Sequence, residues 1–105
     1  MNVLIVDDEK NIRHTLRVCI ESLGGKVGEA SSPDTAIEVM GRTSFDMAFL
    51  DLRLGTHSGL DLIPRLLAEN PNLSIVVITA YATIETAVEA MRRGAWHYLP
   101  KPFTP

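Results

Sequence analysis

Apolar positions along the chain fall into two alternating patterns. Short, nearly continuous runs occupy residues 3–6 (Val3-Leu4-Ile5-Val6), 45–50 and 74–78. Runs this short cannot make a helix. Their β-branched content and lack of alternation suit strands of a sheet covered on both faces. Weaker, mixed runs at 26–30 and 96–99 read as edge strands.

Longer segments between these runs carry apolar residues at helical spacing. Ile12, Leu16, Cys19, Ile20 and Leu23 mark a first helix, stopped by Gly24-Gly25. Ser32-Pro33-Asp34 is a start signal for a second, because Ser can cap and Pro suits the first helical position. Its buried stripe is Ala36, Ile37 and Met40. Ser58 caps a third helix carrying Leu60, Ile63, Leu66 and Leu67. Pro64 is discordant there. It removes a backbone donor past the first turn, so a kink or a shifted start is expected. Ile84, Ala87, Val88 and Met91 supply the stripe of a fourth helix, ended by Gly94.

The resulting order is β-α-β-α-β-α-β-α-β. Strict alternation predicts an α/β fold with a parallel sheet and helices on both faces. Right-handed crossovers then lead to the doubly wound five-stranded order 2-1-3-4-5, the flavodoxin-like arrangement. Such a sheet binds ligands at the carboxyl ends of its strands.

Composition narrows this further. The chain has 105 residues, 46% of them hydrophobic, with no repeat or linker, so one domain spans 1–105. Its expected radius of gyration is about 13 Å. Ten Lys and Arg against thirteen Asp and Glu give a net charge of -3. That balance argues against this segment gripping nucleic acid by itself. A single cysteine, Cys19, rules out an internal disulfide and fits a reducing, cytoplasmic setting. It is read as inert core. The first apolar run is cut off by Asp7, Asp8 and Glu9, too soon for a signal segment or a membrane span.

The candidate chemistry stands at the strand ends. Asp7 and Asp8 follow the first strand, Asp51 the third, Thr79 the fourth and Lys101 the fifth. Singly, each has an ordinary reading: a helix cap for Asp7, Asp8 or Thr79, a surface charge for Lys101. Their convergence on one rim is what points to a site. Two carboxylates 4 Å apart repel by about 4 kcal/mol at an effective dielectric of 20. Either a proton is held or a cation sits among them, and Lys101 neutralises only one charge. A hard divalent ion with oxygen ligands fits the rest, with Mg2+ as the natural choice. His14, His57 and His97 are scattered and read as surface residues, so zinc is disfavoured.

With these residues in place, the chain resembles the receiver domain of two-component response regulators over its whole length. The matching segments are Val6-Asp7-Asp8-Glu9, Leu50-Asp51-Leu52-Arg53 followed by Gly59, Thr79-Ala80 after an apolar strand, and residues 94–103 from Gly94-Ala95 to Pro100-Lys101-Pro102-Phe103. The last segment is most like receivers of sigma-54-dependent, enhancer-binding transcription activators. The resemblance implies that Asp51 accepts a phosphoryl group from a sensor histidine kinase. It implies that Asp7, Asp8, Asp51 and the backbone carbonyl of Arg53 hold Mg2+. Thr79, Lys101 and backbone donors near Ala80 and Leu52 would cradle the phosphoryl oxygens. Tyr98 would turn inward as Thr79 moves, changing the surface of the fourth helix and fifth strand. A fixed edge-strand aromatic is the rival reading of Tyr98. The output would be transcriptional, through ATPase and DNA-binding modules further along the full-length chain.

Gly55 departs from the pattern, because many receivers carry Pro four residues after the phosphoacceptor. A more flexible loop is expected there. Receivers also usually continue into a fifth helix, which Thr104-Pro105 could begin. Its absence leads us to expect a fragment with an apolar patch over strands three to five, prone to self-association or only marginally stable. Two other functions compete. One is a Mg2+-dependent phosphohydrolase, although its two acids would be spaced by one residue rather than adjacent as in Asp7-Asp8. The other is a receiver-like module that is never phosphorylated.

Overall fold

The computed structural model describes residues 1–101. The five apolar runs form one parallel sheet of β1 (Asn2–Val6), β2 (Lys26–Ala30), β3 (Met47–Asp51), β4 (Ser74–Thr79) and β5 (His97–Pro100). The spatial order is β2-β1-β3-β4-β5, the expected doubly wound sequence, with β2 and β5 at the edges. Four helices occur among the described residues: α1 (Lys10–Ser22), α2 (Pro33–Met40), α3 (Gly59–Glu69) and α4 (Ile84–Arg92). The radius of gyration is 12.4 Å.

The two faces of the sheet carry separate cores. On one side Leu4, Val6, Ala48, Leu50, Ile75 and Val77 pack with residues of α2, α3 and α4. On the other, Ile5, Val76 and Ile78 pack with Leu16 of α1. Adjacent residues of one strand therefore serve opposite cores, which is why β1, β3 and β4 read as unbroken apolar runs. Phe45 is buried but precedes β3, and its ring fills the space over Gly28. Burial at that position reflects packing on β2, not strand pairing.

The helix ends follow local chemistry. Ser32 caps α2 in a capping box with Thr35, and Ser58 caps α3 by accepting from the Leu60 N–H at 3.2 Å. Pro64 shifts no start: α3 runs unbroken from Gly59. Pro64 is solvent-exposed, so water can serve the Leu60 carbonyl that loses its donor.

The stripe of α4 differs from expectation. Ile84, Val88 and Met91 are 84%, 52% and 47% exposed, and the buried residue of this helix is Ala90. The helix turns its small residues inward, with Ala87 half-buried beside Ala90. Alanine lets a short helix approach the sheet closely, and the larger side chains are left outside. Leu99 of β5 and the neighbouring Trp96 are also exposed, at 43% and 56%.

The bare patch expected over strands three to five appears only in part. Val76 and Ile78 are buried, while Met47 and Phe49 are half-buried. These two line an apolar hollow of about 350 Å3 with Met1, Val3, Ile20 and Leu23. Cys19 is half-buried. Thr104-Pro105, the suggested start of a further helix, lies outside the described residues.

Candidate functional site

Parallel pairing sets the site. β1, β3 and β4 lie side by side, with Val6 opposite Leu50 and Asp51 opposite Ile78. The residues ending these strands, or following them, therefore emerge at one level of one rim. Asp7, Asp51 and Thr79 are buried at 0%, 3% and 0% exposure, and Asp8 lies exposed at the mouth. Pairing of Thr79 with Pro100 carries Lys101 to the same rim.

Lys101 lies at the centre. Its Nζ is 3.1 Å from Asp51 Oδ2, 2.9 Å from Asp7 Oδ2 and 3.5 Å from Glu9 Oε1. The Asp51 contact is a hydrogen bond, whereas Asp7 Oδ2 accepts none. Proximity without direction leaves that buried oxygen with charge attraction alone. Burial pushes the Asp7 carboxyl above its ordinary value, with the Asp51 charge adding to the effect and Lys101 opposing it. Burial by itself would lower the Lys101 ammonium, but its partners Asp7 and Asp51 outweigh this and raise it.

Backbone amides fix the carboxylates. Asp7 Oδ1 accepts from the Glu9 N–H at 2.8 Å, and Asp51 Oδ1 from the Arg53 N–H at 3.2 Å. Asp8 Oδ2 accepts from the Gly55 N–H at 3.0 Å. Arg13 of α1 donates to the Asp7 carbonyl at 2.7 Å and also binds Glu29, tying the first site loop to β2. Gly59 lies against the backbone of the phosphoacceptor candidate. A methyl group there would overlap the Asp51 carbonyl oxygen and crowd Leu52 Cα.

Carboxylate oxygens of Asp7, Asp8, Glu9 and Asp51 lie within 4.8 Å of one another. Four carboxylates, one of them carrying a buried oxygen that accepts no hydrogen bond, fit a hard divalent cation. Glu9 is the member that sequence reading left out of the ligand set. Its place immediately after the two acids was the available signal. The cleft above the acids measures about 210 Å3 and is bounded by Arg53, Gly55, Ala80 and Tyr81. The Arg53 guanidinium stacks 3.9 Å from the centre of the Tyr81 ring, closing one side.

Thr79 does not cap α4. Its Oγ1 accepts from the Tyr81 N–H at 3.1 Å, and Thr83 is the cap. Tyr98 is half-buried, and its hydroxyl meets Thr86 Oγ1 at 2.7 Å. The ring is thus tied to the first turn of α4 and packs against the larger core. His14, His57 and His97 are all exposed.

This arrangement has known counterparts. The profile of the response regulator receiver domain matches residues 3–105. The chain belongs to the receiver domain family. It is 44% identical over 103 residues to the alginate biosynthesis transcriptional regulatory protein AlgB of Pseudomonas aeruginosa, covering 98% of this chain and 23% of AlgB. It is 38% identical over 101 residues to the DNA-binding transcriptional regulator NtrC of Azospirillum brasilense, covering 96% and 21%. Both relatives are transcriptional regulators by name, in keeping with the resemblance of residues 94–103 to receivers of transcription activators. The receiver chain spans under a quarter of their length.

Solved structures agree. A response regulator from Burkholderia pseudomallei, containing a phosphorylated aspartic acid, a calcium ion and citrate, matches with a TM-score of 0.95 at 40% identity, over 98% of this receiver and 61% of that chain. NtrX from Brucella abortus matches at 0.92 and 33% identity, over 98% and 24%. Family and fold together make this chain a receiver domain of the response-regulator type. Among the described residues no helix is long and apolar enough to cross a membrane.

Proposed function

We propose that the receiver is a switch controlled by phosphorylation of Asp51. The observation that carries this reading is the ion pair of Lys101 with Asp51 beside three further acids. A carboxylate oxygen of Asp51 attacks the phosphorus of a phosphohistidine on a sensor histidine kinase. A P–O bond forms, the P–N bond breaks, and the imidazole leaves with the bonding pair. Asp51 becomes an acyl phosphate, and water later cleaves it to the free carboxylate and inorganic phosphate. The receiver catalyses only this transfer and its own slow dephosphorylation.

Phosphoryl transfer depends on position and charge more than on covalent help. Asp7, Asp8 and Asp51, with the Arg53 carbonyl and neighbouring Glu9, would hold Mg2+. The bound ion supplies the positive charge that lets an anionic carboxylate meet an anionic phosphoryl group. Lys101 offers a second cation to a phosphoryl oxygen. Thr79 offers its hydroxyl, and the amide near Ala80 offers another donor.

The output follows from the same groups. Thr79 reaches the phosphoryl group by moving inward, and Tyr98 follows into the space it leaves. The α4–β5 surface then changes. A shift from 1:99 to 99:1 needs about 5.5 kcal/mol, within reach of two or three charge-assisted contacts of about 1.5–3 kcal/mol each. The domain 1–105 would thereby control ATPase and DNA-binding modules of the full-length protein in the cytoplasm. It makes no nucleic-acid or membrane contact of its own, and its apolar surfaces support self-association.

Intact-protein mass spectrometry after treatment with a small phosphodonor and Mg2+ tests the reading. One phosphoryl group should be added, and Asp51→Asn should abolish the addition. A folded chain that stays unmodified, or an Asp51→Asn variant labelled equally fast, refutes it. Sustained turnover of a free phosphate ester would point to a phosphohydrolase instead.

A further inference from the structure

We infer that Gly55 is a positioning residue for Asp8, presetting that side chain for the divalent ion. This rests on the metal reading given above. Each candidate ligand from the strand ends has one carboxylate oxygen tied to a backbone amide. For Asp7 and Asp51 the amide is two residues ahead, on Glu9 and Arg53. For Asp8 it comes from 47 residues away, from Gly55. Asp8 is exposed, and this amide is its one hydrogen-bond partner among the described residues. Without it, nothing else fixes the Asp8 rotamer before an ion arrives. With it, the carboxylate is held in one orientation before an ion arrives, at a smaller ordering cost on binding.

Gly55 is built to present that amide. It lies in the turn of a small antiparallel pairing, Arg53 with Ser58 and Leu54 with His57. Leu54 is 2% exposed, so the turn is rooted in the core. Gly55 has a φ of +63°, in the left-handed region. The Pro that many receivers carry at this place could neither adopt that φ nor donate an N–H. Glycine at this place thus serves a specific contact as well as the freedom that the sequence suggested. Asn is the substitute that tolerates a left-handed backbone and keeps the donor.

Mg2+ titrations of the full chain, read by calorimetry, test the inference. Gly55→Pro should weaken Mg2+ binding about fivefold, the equilibrium equivalent of one net hydrogen bond. Gly55→Asn should stay within about twofold of the parent under the same reasoning. In an Asp8→Ala background the Gly55→Pro penalty should vanish, because the two residues act through one contact. Amide hydrogen exchange of the metal-free protein gives a second readout. The Gly55 N–H should be protected in the parent and unprotected in Asp8→Ala. An equal Gly55→Pro penalty with and without Asp8, or an unprotected Gly55 amide in the parent, overturns the inference. Should Asp8→Ala bind Mg2+ like the parent, the role of Asp8 as a ligand fails and the inference falls with it. If Asp8→Ala binds weakly but Gly55→Pro does not, only the role of Gly55 is lost.

Discussion

The Lys101 ammonium donates to Asp51 Oδ2 at 3.1 Å, across 50 positions of the chain. The same ammonium stands 2.9 Å from Asp7 Oδ2. One cation at the end of β5 thus joins the ends of β1 and β3, and a charge relationship holds together three segments distant in sequence.

Removing that cation leaves two buried carboxylates facing each other. Lys101→Ala should destabilise the chain by about 3–5 kcal/mol in the presence of a chelator, the usual cost of breaking a buried pair. Mg2+ at a hundred times its dissociation constant should return about 2.7 kcal/mol. Urea denaturation with and without Mg2+ measures both. Unchanged stability in chelator would mean that Lys101 does not carry the compensation assigned to it.

Gly59 bears on Asp51 through the backbone. Its N–H donates to the Leu52 carbonyl at 2.8 Å, and there is no room for a Cβ. Gly59→Ala should cost about 1–3 kcal/mol through overpacking. It should also slow phosphorylation of Asp51, because relief requires the β3–α3 junction to shift. A thermal melt and a phosphorylation time course should move together.

Tyr98→Phe removes the hydroxyl that meets Thr86 Oγ1 while keeping the ring. The expected loss is about 1 kcal/mol, that of one hydrogen bond. A double-mutant cycle with Thr86→Val should return a coupling of similar size, and the aromatic resonances of residue 98 should report a more mobile ring. Zero coupling would leave Tyr98 held by packing alone.

Glu29 provides a pH test away from the acidic cluster. Burial would raise its carboxyl, but Arg17 and Arg13 prevail and hold it below the ordinary 4.5. A depressed folded value contributes stability that is complete above the unfolded value and is lost as pH falls through the folded one. Glu29→Gln should therefore cost about 1 kcal/mol at neutral pH. The gap should hold down to the ordinary carboxylate range and close below it. A gap that widens on acidification would reverse the assigned sign.

Much of this was legible in the residues. Short apolar runs and capped amphipathic segments declared the order of elements, since strand and helix differ in period and each period shows in the chain itself. The polar residues ending those strands followed, because parallel pairing places every carboxyl end on one rim. Ser32 and Ser58 as caps were equally local, depending on amides only two or three residues away.

Other features arise only when distant segments meet. The inward side of α4 depended on how close a helix bearing Ala87 and Ala90 could come to the sheet, so its large residues ended outside. Glu9 joined the cluster only when Asp51 came from β3 to meet the three acids after β1. Gly55 gained its purpose from Asp8, at the far end of another strand. Periodicity and caps are properties of neighbours in the chain, and so they are set before the chain folds. Which faces are covered, and which donor meets which oxygen, are properties of neighbours in space, and tertiary packing alone decided those.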